Sequence, residues 1–210
     1  MGELMLRIWG RPNSINVQKV LWIADELELT YDHTPAGREH GQLDQDWYGE
    51  LNPNRLVPVI DDDGFVLWES NAIVGYLARR YGKGALDPDD EGQRALAAQW
   101  MDWATMTVVA AMTPVFWGLV RTPPEQRDQA AIDKGIAACQ SAFRLLDAQL
   151  KGRAYLLGDR LTTADIPLGC ATYRWHALEV PQESLPNLAA WYERLQQRPA
   201  YRDRVMLPLS

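Results

Sequence analysis

The 210 residues are enough for one large domain or two small ones, and 47% hydrophobic with 23% charged residues is typical of a globular protein. A formal net charge of −7 without any Lys/Arg-rich run disfavours nucleic acid as a partner. No unbroken apolar run approaches the roughly 20 residues that span a bilayer, and the N-terminus lacks a basic segment followed by an apolar stretch, so we expect no membrane partner and a cytoplasmic location.

The first 82 residues predict an α/β domain with a mixed sheet. Apolar periodicity and turn residues place its elements in this order: strand 4–9, helix 15–29, strand 31–35, a short helix at 43–51, strands 57–60 and 65–68 joined by an Asp-Gly hairpin turn, and a helix over 70–81. Pro58 opens one strand, where its missing N–H is tolerated, and in a tight turn it is expected to be cis.

The second half predicts helices only. Residues 83–90 are rich in turn formers and indicate a linker, and residues 91–210 indicate an all-helical bundle. Pro114 is expected to kink or interrupt the first long helix. Thr162 and Asp165 have the spacing of a capping box, in which the Thr162 hydroxyl accepts from the Asp165 amide and the Asp165 carboxylate reaches back.

Both cysteines, Cys139 and Cys170, fall inside apolar helical patterns and are far apart in the chain. This favours buried, reduced thiols over a disulfide, and we expect neither a catalytic cysteine nor a metal site.

One short segment combines groups that bind opposite charges. Glu69 and Ser70 stand where a helix begins, so the unpaired N–H groups there favour an anion and the Glu69 carboxylate favours a cation. The backbone of Val57, before Pro58, is expected to be free to pair with an extended chain. The segment therefore predicts a site for a zwitterion joined to a peptide unit.

Four features in order resemble the cytosolic glutathione transferase family over essentially the whole chain. They are the helix entry from Arg11 to Val20, the Val57-Pro58 pair, Glu69-Ser70 followed by Asn71-Ala72-Ile73, and the box from Thr162 to Asp165. The likeness is nearest to bacterial theta-like and nu-like members, which use serine or threonine in place of tyrosine. It implies an α/β thioredoxin-like N-terminal domain (1–82), a linker (83–90) and an all-α C-terminal domain (91–210), assembled as a homodimer.

The resemblance also implies how glutathione would be held. Ser70 would bind the γ-glutamyl carboxylate, Glu69 the amino group, and the Val57 backbone, beside a cis Pro58, the cysteinyl unit. A donor for the glycine carboxylate is expected among Arg55, Gln42 and His40.

Catalysis in this family is activation of the glutathione thiol, because a hydrogen bond to sulfur and the positive end of a helix favour the thiolate. Ser14 precedes the first helix and takes the main role, with Asn16 as the second candidate and Asn13 as a competitor. The alternative is that Ser14 is only an N-cap. Trp9 and Gly10 stand where tyrosine-type members carry their tyrosine, and no cysteine stands at or beside position 14.

The electrophile pocket is expected between the domains, suited to small hydrophobic compounds. Its candidate residues, of which two or three are expected to face it and the rest to be packing, are Trp103, Met106, Ala110, Met112, Phe116, Trp117 and Tyr173. A conjugating transferase is the main hypothesis. A glutathione-dependent disulfide reductase or peroxidase and a non-catalytic ligand-binding module are the alternatives.

Overall fold

A four-stranded mixed sheet forms the first part of the protein. The computed structural model describes residues 6–88 and 90–210, so positions 4 and 5 of the predicted first strand lie outside it. The elements here are β1 (Leu6–Trp9), α1 (Ile15–Glu26), β2 (Tyr31–Thr34), a 3₁₀ turn (Arg38–His40), α2 (Asp46–Leu51), β3 (Val59–Asp62), β4 (Phe65–Trp68) and α3 (Ser70–Tyr81). The strand order is β2-β1-β3-β4, with β1 and β2 parallel and the other pairs antiparallel. The predicted fold class of this half is confirmed.

Alternation along β3 explains why helices cover both faces of the sheet. Ile60, opposite Ile8 in the register, lies in the main core with α1 and α3. Its neighbour Val59 points the other way and packs with Tyr48 of α2. The period of two in a strand thus fixes α1 and α3 on one face and α2 on the other.

The predicted hairpin and the predicted cis bond are both present. Asp63 and Gly64 join β3 to β4 with positive φ angles of 54° and 88°, which an Asp-Gly turn favours. The peptide bond between Val57 and Pro58 is cis.

The remaining elements are helical. They are α4 (Glu91–Trp103), a π-helical stretch (Ala104–Val109), α5 (Ala110–Phe116), a second π-helical stretch (Trp117–Arg121), a 3₁₀ turn (Pro124–Gln126), α6 (Gln129–Leu150), α7 (Asp165–Ala177), α8 (Pro186–Gln196) and α9 (Pro199–Arg204). Helix α7 is buried along most of its length and packs against α1, α4 and α8. The all-helical second half is confirmed, and both cysteines are free and buried as predicted.

Pro114 does not interrupt its helix. The helix runs on from Glu91 to Arg121, with π-helical turns before and after the proline. In the part of the chain that the structure describes, this is the one helix long and apolar enough, at a mean hydropathy of 1.5, to pass a test for a membrane span. Core helices of bundles outside membranes pass the same test, so the finding is weak and the absence of a membrane partner stays a prediction.

The capping box at the start of α7 is present with one change of donor. The main-chain N–H of Thr162 donates to the Asp165 carboxylate at 3.0 Å, as predicted. The Thr162 hydroxyl donates to the same carboxylate at 3.2 Å, whereas the Asp165 amide donates to the main-chain oxygen of Thr162 at 3.0 Å. The carboxylate, which is fully buried, is therefore the hub of this turn.

Candidate active site

The N-terminus of α1 presents a serine hydroxyl that the helix does not use. Ser14 occupies the N-cap position, and its main-chain oxygen accepts from the N–H of Gln18 at 2.9 Å. Its side chain makes no capping hydrogen bond, although it is only 7% exposed. The N-cap alternative thus describes the position of Ser14 but leaves its hydroxyl available.

Ser14 lines a cavity of about 210 Å³ between the β1–α1 turn and the long helix of the second half. The other lining residues are Arg11, Asn13, Ile15, Asn16, Val109, Met112, Thr113, Phe116, Trp117, Arg121 and Arg174. Ser14, Asn16 and Asn13, the polar residues predicted to lie near the thiol, therefore all line the same cavity. The Nδ2 group of Asn13 donates to the Ser210 hydroxyl, whereas the Asn16 side chain is exposed.

Phe116, Trp117 and Met112 line this cavity, but the other predicted pocket residues do not. Met106 is 75% exposed and Ala110 is exposed. Trp103 packs edge-on against Trp100, and the Tyr173 hydroxyl donates to the main-chain oxygen of Leu207 at 2.7 Å.

Three of the seven candidates thus line this cavity, and its role as the electrophile pocket stays a prediction. The long helix meets the cavity with positions 109, 112, 113, 116 and 117, which share one helical face.

Val57 lies beside the β1–α1 turn with its backbone unpaired. Gly10, at φ +153°, leaves no room for a side chain, since a Cβ there would lie 2.4 Å from Val17 and 3.2 Å from Val57. Among the described residues, neither the N–H nor the carbonyl of Val57 has a hydrogen-bond partner. The Val57 backbone is therefore available to an extended chain, and its role in binding stays a prediction.

Glu69 and Ser70 begin α3 as predicted. Glu69 has a φ of 71° and a ψ of 107°, a conformation that a non-glycine residue adopts only at a cost of order 1–3 kcal/mol. Its carboxylate is exposed, and the Ser70 side chain is buried beneath it. Such an outlier at the mouth of a 12-residue helix is a feature that binding sites retain.

A buried lysine under this helix end was not predicted. Lys19 is 1% exposed, and its Nζ donates to the Ser70 hydroxyl at 3.3 Å and to Asn71 Oδ1 at 3.2 Å. Because Lys19 donates to the Ser70 oxygen, the Ser70 proton is free to be donated outward. Burial lowers the pKa of Lys19 to about 8, against the opposing influence of Cys170 and Glu69.

The sequence carries a signal for this lysine. Gln18 and Lys19 are polar residues inside an apolar helix, and both are buried. Lys19 lies five residues after Ser14, so α1 places the two side chains roughly 7.5 Å apart along its axis.

Each of the three predicted donors for a glycine carboxylate already has a polar contact with a neighbouring group of the protein. Arg55 donates to the main-chain oxygens of Leu43 and Gln45 at 2.8 and 2.9 Å. Gln42 donates to the main-chain oxygen of Pro35 at 2.8 Å, and exposed His40 lies 3.5 Å from Glu39. Their assignment to the glycine carboxylate stays a prediction.

Three arginines of the cavity were also missed. They are Arg11 before α1, Arg121 at the end of the long helix, and Arg174 on α7. They are distant in sequence, and only the packing of α1, α7 and the long helix brings them together.

The comparisons with known proteins agree with this geometry. Residues 13–80 match the model of the glutathione S-transferase N-terminal domain, and residues 97–199 match that of the C-terminal domain. The chain is 46% identical to glutathione S-transferase GstB of Escherichia coli K12, over 98% of this chain and 100% of the relative. It is 36% identical to glutathione S-transferase D7 of Drosophila melanogaster, over 89% and 82% of the two chains.

A solved structure is also similar to this chain over its whole length. The theta-class glutathione S-transferase of Xanthomonas axonopodis pv. citri, crystallised with glutathione, superposes with a TM-score of 0.94 at 43% identity, covering 99% of this chain and 100% of that one. The chain therefore belongs to the glutathione S-transferase family, as the sequence resemblance predicted, and is a glutathione S-transferase.

Proposed function

We propose that the enzyme binds glutathione between Val57 and the start of α3 and activates its thiol at Ser14 for attack on an electrophile in the adjoining cavity. The observation that carries the proposal is the unused Ser14 hydroxyl at the N-terminus of α1, within that cavity. Turnover with glutathione and a panel of aryl halides, isothiocyanates, hydroperoxides and disulfides tests it. Absence of glutathione-dependent turnover across the panel would reject it.

Three parts of glutathione, the γ-glutamyl carboxylate, the amino group and the cysteinyl unit, each have a matching group. The α-carboxylate of the γ-glutamyl unit meets the α3 N–H groups, the Ser70 hydroxyl and the positive charge of Lys19 beneath them. The amino group meets the exposed Glu69 carboxylate. The unpaired Val57 backbone accepts the cysteinyl unit as a short added strand.

The positions of Ser14 and of the α1 N-terminus explain how the glutathione thiol would be activated. A cysteine thiol has an ordinary pKa of about 8.5, and a donated hydrogen bond together with a helix N-terminus lowers it. Ser14 supplies the hydrogen bond and α1 supplies the dipole. Asn16 is the second donor in reach, and Asn13 is the weaker competitor because its amide hydrogen serves Ser210.

Ser70→Ala and Glu69→Ala are each expected to raise the KM for glutathione about tenfold, with a smaller change in kcat. Each substitution removes one charge-assisted contact made to glutathione in both ground and transition states. Steady-state kinetics with varied glutathione measures this. A lower kcat at unchanged KM would place these residues in the chemistry instead.

Glutathione binding is expected to weaken as the pH rises above about 8, where Lys19 loses its proton. The lysine pKa is lowered, so its charge is fully present below that pH and fades above it. Calorimetry with S-methylglutathione, which has no thiol to titrate, follows this loss. Lys19→Met should bind more weakly at neutral pH and lack this component of the pH dependence, and an identical profile would remove Lys19 from the site.

Conjugation is favoured over disulfide reduction through a protein thiol. Both cysteines are buried, and burial raises the pKa of each thiol to about 12. Neither lies in the cavity. Reduction of disulfides or hydroperoxides by glutathione itself is the alternative, and faster turnover of hydroxyethyl disulfide than of any aryl halide would select it. A non-catalytic module is the remaining alternative, and it would show no binding in calorimetry with glutathione.

We also propose a cytoplasmic homodimer. Phe65 and Trp68 on β4 and Leu96 on α4 are 48%, 36% and 42% exposed, as large apolar side chains are at subunit contacts. Sedimentation velocity tests the dimer, and a monomer at all concentrations would contradict it.

A further inference from the structure

Positive charge is concentrated in the small cavity beside Ser14. Arg11, Arg121 and Arg174 line it, and Arg38 stands over the Trp117 ring at 5.5 Å. No side-chain carboxylate lies within ion-pair distance of these four arginines among residues 6–88 and 90–210. Glu39 acts on Arg11 and Arg121 through space.

The arginines are held by ring faces and main-chain oxygens. The Arg174 guanidinium lies 4.3 Å from the Phe116 ring centre and donates to the main-chain oxygen of Asn13 at 3.2 Å. Arg121 lies 4.7 Å from the rings of Phe116 and Trp117 and donates to an oxygen of Ser210, the last residue of the sequence, at 2.9 Å. These contacts orient the guanidinium groups without using all five donors of each.

Unused donors remain at the site. The Nε atoms of Arg11 and Arg121 are buried and have no hydrogen-bond partner in the described part of the chain. A buried donor without a partner, and especially a charged one, costs free energy that a bound acceptor recovers.

The pKa shifts of the cavity arginines also favour a bound anion. Burial, and then mutual repulsion among the arginines, lowers the pKa of Arg11 and of Arg121. Burial likewise lowers the pKa of Arg174 to about 10, which still leaves it charged at neutral pH. An anion in the cavity would offset both the repulsion and the lost hydration.

We propose that this arginine-lined cavity binds the electrophile through a negative charge, so that the enzyme acts on small anionic substrates such as carboxylates that carry a leaving group on the neighbouring carbon. The inference rests on the proposed function and replaces the purely hydrophobic electrophile with a charged one. The cavity volume of about 210 Å³ also favours a compound of few atoms, since pockets for drug-sized ligands are roughly 300 to 1,000 Å³.

The reaction is a displacement that balances without another reagent. The glutathione thiol loses its proton to solvent, and the thiolate sulfur attacks the carbon next to the carboxylate. A carbon–sulfur bond forms as the carbon–halogen bond breaks, and halide leaves with the bonding electron pair. The arginines hold the carboxylate while Ser14 holds the sulfur, which brings two anions together at the reacting distance.

Iodoacetate and iodoacetamide form a matched pair of probes, because they share a leaving group and nearly share a size but differ in charge. We expect kcat/KM of the wild-type enzyme, with saturating glutathione and after subtraction of the uncatalysed rate, to be at least about tenfold higher for iodoacetate. Side reaction with the protein is minimal because both of its thiols are buried. A wild-type enzyme that uses iodoacetamide equally or better would overturn the inference while leaving the proposed function intact.

Arg121→Gln is expected to lower kcat/KM for iodoacetate about 10- to 100-fold and to change that for iodoacetamide and the KM for glutathione by less than about twofold. Arg121→Lys should recover part of the loss. Arg144→Gln, which removes a remote arginine paired with Glu183, is the control for net charge. A rise in the KM for glutathione in Arg121→Gln, with unchanged selectivity between the probes, would assign the arginines to the glycine carboxylate and overturn the inference.

Discussion

Ser14→Ala is expected to lower kcat/KM at neutral pH about 10- to 100-fold, with the KM for glutathione changed by less than about twofold. The hydroxyl lies in the cavity and makes no capping bond, so its loss removes a hydrogen bond to the thiolate and leaves the helix start otherwise intact. Hydrogen bonds to charged groups contribute about 1.5 to 3 kcal/mol, which corresponds to this range. Rates measured against pH should show the midpoint moving upward, because the thiolate then forms at higher pH.

Asn16→Ala is the matched control, since Asn16 lines the same cavity two residues further along the chain. It should retain most activity, and Ser14→Thr should retain more than Ser14→Ala because a hydroxyl remains. An unchanged rate in Ser14→Ala together with a large loss in Asn16→Ala would transfer the role to Asn16.

Asp165→Ala is expected to reduce the free energy of unfolding by about 3 to 4 kcal/mol. The fully buried carboxylate accepts from the main-chain N–H groups of Leu156 and Thr162 and from the Trp191 indole, each at 3.0 Å, and from the Thr162 hydroxyl. Alanine leaves these donors buried without an acceptor, at about 1–3 kcal/mol each, and releases the cost of burying one carboxylate. Urea unfolding followed by fluorescence measures the change.

Asp128→Ala provides the comparison, because Asp128 is an N-cap that accepts a single bond, from the N–H of Ala131 at 3.0 Å. Its loss should cost only about 1 kcal/mol. Equal losses in the two variants would show that Asp165 is an ordinary cap rather than a buried hub.

The pH dependence of stability gives a separate check on Asp165. Burial raises the pKa of Asp165 to about 6, whereas an unfolded aspartate has a pKa of about 3.9. The folded state therefore binds the extra proton between these values, and this residue's contribution to stability falls as the pH rises through them. Asp165→Asn should lack that component, which urea midpoints across the range would show.

Local signals in the sequence predict much of this fold. The Asp-Gly turn, the proline at position 58 and the capping box each depend on neighbours in the chain, and all three are found in the structure. The helix start at Ser70 is also predicted at the correct residue.

Other parts of the site depend on long-range packing. The π-helical turns before and after Pro114 are not signalled by the 3.6-residue spacing of the apolar residues. Lys19 and Arg174 are polar residues within apolar helices, and their proximity to Ser70 and Phe116 exists only once α1, α3, α7 and the long helix have packed.

The most direct measurement of the central claim is an ultraviolet titration of glutathione bound to the wild-type enzyme, in which thiolate absorbance is followed against pH. Ser14 and the N-terminus of α1 should lower the pKa of the bound thiol by at least about one unit from its ordinary value of about 8.5. A bound thiol that titrates at the ordinary value, with calorimetry showing the site filled, would contradict the account.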